Sequence, residues 1–102
     1  MNTKELSGFI NAEDKLTALP SKKKKKILAL VWLADQIPAD KEYSEKEFSD
    51  LLRTLHTFGD PATLRRELYD YFLIDRDLNG QRYRLNPERP SAETLIAQYC
   101  GG

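Results

Sequence analysis

Apolar residues recur at helical spacing in three stretches of the chain. The first, "KKKKKILALVWLADQI" at residues 22–37, follows Ser21, which we expect to be the helix N-cap, and ends before Pro38. Its second half is apolar on nearly every side, a pattern that is typical of a core helix packed on more than one face. The pattern therefore predicts a buried first helix that begins with a block of lysines.

The second stretch, "YSEKEFSDLLRTLH" at residues 43–56, predicts an amphipathic helix. Ser44 and Glu47 have the spacing of a capping box, in which each side chain accepts a hydrogen bond from the backbone N–H of the other residue. The apolar stripe consists of four residues: Phe48, Leu51, Leu52 and Leu55. His56, the single histidine, follows at the end of this helix, where a positive charge favours the helix dipole.

The third stretch starts at Asp60, which is the expected N-cap of another helix. Pro61 then occupies the first helical position, where its missing N–H costs nothing. Leu64, Leu68 and Tyr71 recur at i, i+4 and i+7, so we expect them to face the core.

The next segment, "FLIDRDLNGQRYRL" at residues 72–85, alternates polar and apolar residues around an Asn-Gly pair at 79–80. Asn-Gly is a strong signal for a two-residue hairpin turn, in which both positions need a positive φ. With this turn, two acid–arginine pairs are expected to form ion pairs across the strands: Asp77 with Arg82 and Asp75 with Arg84. A four-residue loop would break this pairing.

The order of helix, helix, helix and hairpin, with a short connection between the second and third helices, predicts the fold class. We expect a mainly α protein with a small β-hairpin (α+β), arranged as a winged helix-turn-helix. One domain is expected over residues 1–86, in which a short N-terminal extension, "FINAEDKLTALP", forms a small hairpin. Residues 87–102 are expected to be a C-terminal tail with a short amphipathic helix.

Charge is distributed unevenly along a chain whose formal net charge is zero. A zero net charge argues against a strongly basic protein that coats DNA. Positive charge is concentrated in five consecutive lysines, although the helix dipole and the repulsion between them both disfavour this arrangement. On the third helix and the hairpin, further polar residues point away from the predicted core. The candidates for contact with double-stranded DNA are Lys22, Lys23, Lys24, Lys25, Lys26, Thr63, Arg65, Arg66, Tyr69, Arg82 and Arg84.

The same residues also have a purely structural interpretation. Arg66 and Asp70 have the spacing of an ion pair within the third helix. Arg65 lies at the border of the core, where it can pair with an acid of the second helix, Glu45 or Glu47. The lysines would then be only a solvated start to the first helix. The sequence leaves both interpretations open.

Several classes of function find no support in the sequence. It has one histidine and one cysteine, and it lacks a Cys/His cluster, a phosphate-binding glycine loop and a nucleophile elbow. We therefore expect no enzymatic activity, no cofactor and no metal. No apolar run approaches the roughly 20 residues of a membrane helix, and the first residues do not resemble a signal peptide. Because Cys100 also has no disulfide partner, we expect a cytoplasmic protein without a membrane partner.

Two functions are consistent with this pattern. The first is a nucleic-acid-binding module similar to a transcription regulator. The alternative is a winged helix for protein interaction or homodimerisation, with no DNA binding of its own. For that alternative, the candidate dimer or partner surface lies in the tail and consists of Leu95, Ile96 and Tyr99.

From Phe9 to Leu85 the sequence resembles a bacterial domain of unknown function, number 2087 among such domains. The most specific part of the resemblance is "TLRREL" at residues 63–68, followed by the hairpin residues Arg76, Asp77, Gly80 and Tyr83. Members of that family occur alone or joined to helix-turn-helix regulators. The resemblance therefore implies a winged-helix-like module in a setting related to transcription, without implying a particular ligand.

Overall fold

The computed structural model describes residues 3–101, which contain four α-helices and one three-stranded antiparallel sheet. The α-helices are α1 (Lys23–Ala34), α2 (Glu45–Arg53), α3 (Pro61–Asp70) and α4 (Ala92–Tyr99). The strands are β1 (Glu42–Ser44), β2 (Ile74–Arg76) and β3 (Arg82–Leu85), in the sheet order β1-β3-β2. A short 3-10 helix, Thr3–Leu6, precedes α1. The α+β class is confirmed, and β1 is a strand that the sequence pattern did not predict.

Helix α1 lies at the centre of the core, as its apolar pattern predicted. Its buried residues are Ile27, Leu28, Ala29, Leu30, Trp32, Leu33 and Ala34. The prediction that Ser21 caps this helix is wrong, because the N-cap is Lys22 and its side chain makes no capping hydrogen bond. Ser21 lies one residue too early for the role, since a capping side chain must belong to the residue directly before the first turn.

Helices α2 and α3 begin where their predicted caps place them. The Ser44 hydroxyl accepts from the Glu47 N–H at 3.1 Å, and the Glu47 carboxylate accepts from the Ser44 N–H at 2.8 Å, which completes the capping box. Asp60 accepts from the Thr63 N–H at 3.2 Å, with Pro61 as the first residue of α3. The three residues of this region that were predicted to face the core are buried: Leu64, Leu68 and Tyr71.

The β2–β3 hairpin has the predicted register but a different turn. The cross-strand pairs are Ile74 with Leu85, Asp75 with Arg84 and Arg76 with Tyr83. The prediction of a positive φ at both Asn79 and Gly80 is wrong, because within the turn only Gly80 has one, at 68°. The Gly80 N–H donates to the Asp77 carbonyl oxygen at 3.0 Å. The turn therefore spans Asp77 to Gly80 and uses the glycine at its last position.

The segments at both ends of the described chain pack on this core. In the N-terminal extension, an antiparallel bridge between Ile10 and Leu16 forms the small hairpin expected there. Leu16 also bridges to His56, which ties the extension to the chain that follows α2. In the tail, α4 packs against α1, and Leu95 is fully buried. Within residues 3–101, every helix is too short or too polar to cross a membrane.

Candidate nucleic-acid interface

A groove of about 460 Å³ lies between α3 and the β2–β3 hairpin. On the hairpin side, Arg76 and Tyr83 are cross-strand partners, so their side chains share the face that is turned towards α3. The lining consists of three arginines, two tyrosines, one alanine and one carboxylate: Arg65, Arg66, Arg76, Tyr69, Tyr83, Ala62 and Asp70. Because cations outnumber carboxylates here, the groove attracts anions.

The guanidinium group of Arg65 makes contacts within the fold. Its Nη1 donates to the Glu45 carboxylate at 3.1 Å and to the Ser49 hydroxyl at 3.4 Å. Its guanidinium carbon lies 5.5 Å from the centre of the Tyr83 ring, a cation–π contact. The structural interpretation of Arg65, pairing with an acid of α2, is therefore the one that the geometry supports. This residue holds α3 against α2 and β3.

Arg66, the next residue, points to solvent. The ion pair expected between Arg66 and Asp70 does not form, and no other described carboxylate forms an ion pair with Arg66. The two side chains are exposed, where an i, i+4 pair gains too little to hold both in one geometry. Arg66 therefore keeps its hydrogen-bond donors available at the edge of the groove.

Thr63 takes part in the start of α3 rather than pointing away from it. Hydrogen bonds from the Thr63 side chain and backbone N–H, followed by the positive charge of nearby Arg66, lower the pKa of the Asp60 carboxyl. Thr63 was one of the candidates for nucleic-acid contact, and its backbone N–H is engaged in this cap. The cap in turn fixes the orientation of the helix that carries Arg66.

Arg76 and Tyr69 meet across the groove. The Arg76 guanidinium carbon lies 4.8 Å from the centre of the Tyr69 ring. The pKa of Arg76 is raised, first by hydrogen bonding with the side chain of Tyr69 and then by hydrogen bonding with Tyr83. Tyr69 was predicted as a contact residue, whereas Arg76 was missed. The strand alternation contained the signal, since Arg76 is two residues from Ile74 and therefore faces the same side.

The other two arginines of the hairpin lie on the opposite face of the sheet. Arg84 forms an ion pair with Asp75 at 3.6 Å, as predicted from the register. The ion pair expected between Asp77 and Arg82 does not form. Instead, the Asp77 carboxylate accepts from the backbone N–H groups of Gln81 at 2.8 Å and Arg82 at 3.3 Å, and these bonds lower the pKa of Asp77. The register predicted from the sequence did not reveal that the Asp77 carboxylate would bond to backbone N–H groups instead of Arg82. These backbone bonds close the turn.

The lysine block divides into two kinds of residue. Lys24 pairs with Glu5 at 3.2 Å, and Lys26 pairs with Glu67 of α3 at 3.4 Å. Lys26 also lies 5.6 Å from the centre of the Tyr71 ring, so its side chain is part of the contact between α1 and α3. The remaining three residues of the block form no ion pair with a described carboxylate: Lys22, Lys23 and Lys25.

The turn between α2 and α3 is held by His56, which is 4% exposed. Its Nδ1 lies 2.6 Å from the Leu52 carbonyl oxygen, and its Nε2 accepts from the Asp60 N–H at 2.9 Å. A carbonyl oxygen only accepts and a backbone N–H only donates, so the ring carries its proton on Nδ1 and is neutral. The interpretation of His56 as a cation at the end of α2 is therefore wrong.

The tail residues lie away from the groove, on the side of α1 and α4. Leu95 is fully buried in the core, so its side chain does not reach the surface, while Ile96 and Tyr99 are partly exposed. Ile96 lines a second groove, of about 610 Å³, together with residues of α1 such as Leu28 and Val31. A role of these residues in partner binding stays a prediction.

Comparison with known proteins places the chain in a family. Residues 15–85 match the family described as "Uncharacterized protein conserved in bacteria (DUF2087)", and the chain belongs to it. The matched region contains α1, α2, α3 and the hairpin, and therefore the whole groove between α3 and the hairpin. No curated protein and no solved structure matches the chain.

Proposed function

We propose that this domain is a winged helix that binds double-stranded DNA through the groove between α3 and the β2–β3 hairpin. The observation that carries the proposal is the cluster of Arg66, Arg76 and Tyr69 at this groove, with neither arginine in an ion pair with a described carboxylate. Arginine binds phosphate through its planar fork of donors, and the major groove of DNA is wide enough to admit an α-helix.

The arrangement of elements supports the winged-helix part of the proposal. The order α1, β1, α2, α3, β2 and β3, with the sheet order β1-β3-β2, places the hairpin beside the exposed face of α3. In this proposal α3 is the recognition helix and the hairpin is the wing. A transcription-related role is part of the same proposal.

The lysine block extends the proposed contact surface to α1. Lys26 reaches Glu67 on α3, so the start of α1 lies beside the recognition helix. Lys22, Lys23 and Lys25 project from this start, and each can neutralise a backbone phosphate in solution. We propose that they add sequence-independent affinity, while residues on α3 supply any base contacts.

Fluorescence anisotropy tests the proposed function. A labelled mixed-sequence duplex of about 20 base pairs is titrated with the protein at several salt concentrations, and we expect micromolar binding at low salt that weakens steeply as salt rises. Arg66→Ala should weaken binding about tenfold, because an unpaired donor at the groove is lost. The triple variant Lys22→Ala, Lys23→Ala and Lys25→Ala should weaken binding to all sequences alike and flatten the salt dependence.

The matched control is Arg89→Gln, which removes an arginine on the α1–α4 side of the molecule. This variant should bind the duplex as the wild type does. If the wild type does not bind duplex DNA at low salt, the proposed function is wrong. If Arg89→Gln and Arg66→Ala weaken binding equally, the contact is a general effect of charge and not a property of the groove.

The second groove favours the other candidate function, a homodimer formed through α1 and α4. Ile96 and Val31 line this groove and are partly exposed. Static light scattering over about a hundredfold range of protein concentration distinguishes the two functions, since a dimer dissociates by mass action. A dimer that Ile96→Lys converts to monomer would support this candidate, and a monomer at every concentration would refute it.

A further inference from the structure

Arg76 lines the groove, and the side chains around it restrain its position. Its guanidinium carbon lies 4.8 Å from the centre of the Tyr69 ring, and Tyr83 lies directly across the strand pair. A Cβ built at Gly80 would be 3.7 Å from the Arg76 Nη1, so the arginine side chain extends along the turn of its own hairpin. Arg76 is exposed nevertheless.

This arrangement matters because an exposed arginine normally samples many conformations. Ordering such a side chain on binding costs rotamer entropy, and a side chain that is already ordered loses less. The Tyr69 ring restrains the guanidinium plane, and Tyr83 is itself fixed because its ring stacks on Phe48 at 5.6 Å. A guanidinium group has more donors than these tyrosine contacts use, and the others remain for a ligand.

The two neighbouring arginines of α3 have different roles. Arg65 is 21% exposed in its side chain and bonds to Glu45, which removes it from the set of ligands. Arg66 lies on the same groove as Arg76 and forms no ion pair with a described carboxylate. The groove therefore presents two available guanidinium groups, one from α3 and one from the hairpin.

We infer that Arg66 and Arg76 bind one phosphate of the DNA backbone between them, and that Tyr69 is a positioning residue that holds Arg76 for this contact. The inference rests on the proposed function and specifies how it is carried out. It assigns the inner face of the hairpin, and not the outer face with Arg82 and Arg84, to the contact. It also gives Tyr69 a role through Arg76 and not through a base.

The test is a salt series of duplex-binding measurements on single and double variants. Arg76→Ala should weaken binding about tenfold, and only the double variant that also carries Arg66→Ala should reduce the slope of log K against log salt by about 0.9, the value for one phosphate contact. Tyr69→Ala should weaken binding about threefold with an unchanged slope, because the phosphate contact persists with a less ordered arginine. Tyr69→Phe should bind with an affinity within twofold of the wild type, because the phenylalanine ring can still make the cation–π contact with Arg76.

The double variant separates positioning from direct contact. When Arg76 is already alanine, adding Tyr69→Ala should cause no further loss of affinity. An equal loss in both backgrounds would mean that Tyr69 contacts the DNA directly, and the inference about its role would be overturned. Urea denaturation of each variant checks that the fold is retained, which we expect because both side chains are exposed.

Arg84→Ala shows which face of the hairpin meets the DNA. If Arg84→Ala weakens binding while Arg76→Ala binds as the wild type does, the inference is wrong: the protein binds duplex DNA, but through the outer face of the hairpin and not through the groove. If the wild type itself does not bind the duplex, the proposed function and the inference fail together. If the wild type binds the duplex, Arg76→Ala weakens this binding and Arg84→Ala does not, both the proposed function and the inference are supported.

Discussion

At the scale of single residues, His56 joins two helices through both nitrogens of one ring. Nδ1 bonds the Leu52 carbonyl of α2, and Nε2 accepts from the Asp60 N–H at the cap of α3. The ring also packs edge-on against Phe58, with 4.6 Å between the ring centres. Because Leu52 also accepts from the Leu55 N–H, the group that depends on His56 alone is the Asp60 N–H.

His56→Ala should therefore lower the free energy of unfolding by about 2–3 kcal/mol, since it leaves the partly buried Asp60 N–H without a partner and opens a cavity where the buried ring was. Urea denaturation followed by circular dichroism measures the loss. Thr57→Ala, at the exposed neighbouring position, is the control and should change stability by less than about 0.5 kcal/mol. A loss at His56 no larger than that of the control would contradict the structural role.

Several residue roles depended on contacts that the sequence does not contain. Arg65 and Arg66 are adjacent and chemically identical, and only the packing of α3 on α2 makes Glu45 a partner of the first. Asp77 has the spacing of a cross-strand ion pair but instead bonds the backbone of its own turn. In both cases local spacing offered two partners, and the tertiary arrangement selected one of them.

At the scale of secondary-structure elements, the caps show how far sequence patterns reach. The capping box at Ser44 and Glu47, and the cap at Asp60 before Pro61, were predicted correctly because each bond lies within one helical turn. Helix α1 has no comparable signal within the lysine block, so its start was placed one residue early. Its N-cap, Lys22, leaves the first-turn N–H groups without a side-chain acceptor.

Lys22→Ser should therefore stabilise the protein by about 0.5–1 kcal/mol, because serine supplies the missing acceptor. Lys23→Ser removes the same charge one residue later, within the helix, and is the control for the loss of repulsion. We expect the Lys22 variant to be the more stable of the two in urea denaturation. Equal stabilities would mean that the charge, and not the cap, limits the stability of α1.

The same substitution connects stability to the proposed function. If Lys22 contacts a phosphate, Lys22→Ser should reduce the slope of log K against log salt by about 0.9 while it stabilises the fold. Lys22 would then lower the stability of the fold and raise its affinity for DNA. Residues at functional sites commonly have these opposite effects. An unchanged slope would remove Lys22 from the contact surface.

At the scale of the whole molecule, the core extends beyond the hairpin and includes the last helix. Leu95 of α4 is fully buried against a core that contains Leu30 and Leu33 of α1. Tyr99 contacts the ring of Tyr71 at 5.1 Å between ring centres, which links α4 to the end of α3. The tail therefore packs with the rest of the chain.

Leu95→Ala should lower the free energy of unfolding by about 2–4 kcal/mol, the cost of a cavity in a packed core. Gln98→Ala, at an exposed position of the same helix, is the control and should be nearly neutral. Denaturation of the Leu95 variant should remain a single transition with a shifted midpoint. An unchanged midpoint would mean that α4 contributes nothing to the stability of the core.

The α+β class could be predicted because the three helices α1, α2 and α3 and the hairpin each have a local signature. Helical spacing indicated α1, α2 and α3, and the alternation around Asn79-Gly80 indicated the hairpin. Strand β1 escaped prediction because it is only three residues long and pairs with a strand that follows it by some forty residues. The packing of α4 on the core could not be predicted either, because α4 contacts α1, which is distant from it in the sequence.

The sheet order has a consequence for how two folded chains can meet. β1 and β2 are the edge strands, each is only three residues long, and charged residues occupy both: Glu42 on β1, and Asp75 and Arg76 on β2. Short, charged edges are poor templates for an added strand, so the folded protein should resist growth into strand-paired aggregates. Association of two copies would then have to proceed through side chains on helical surfaces.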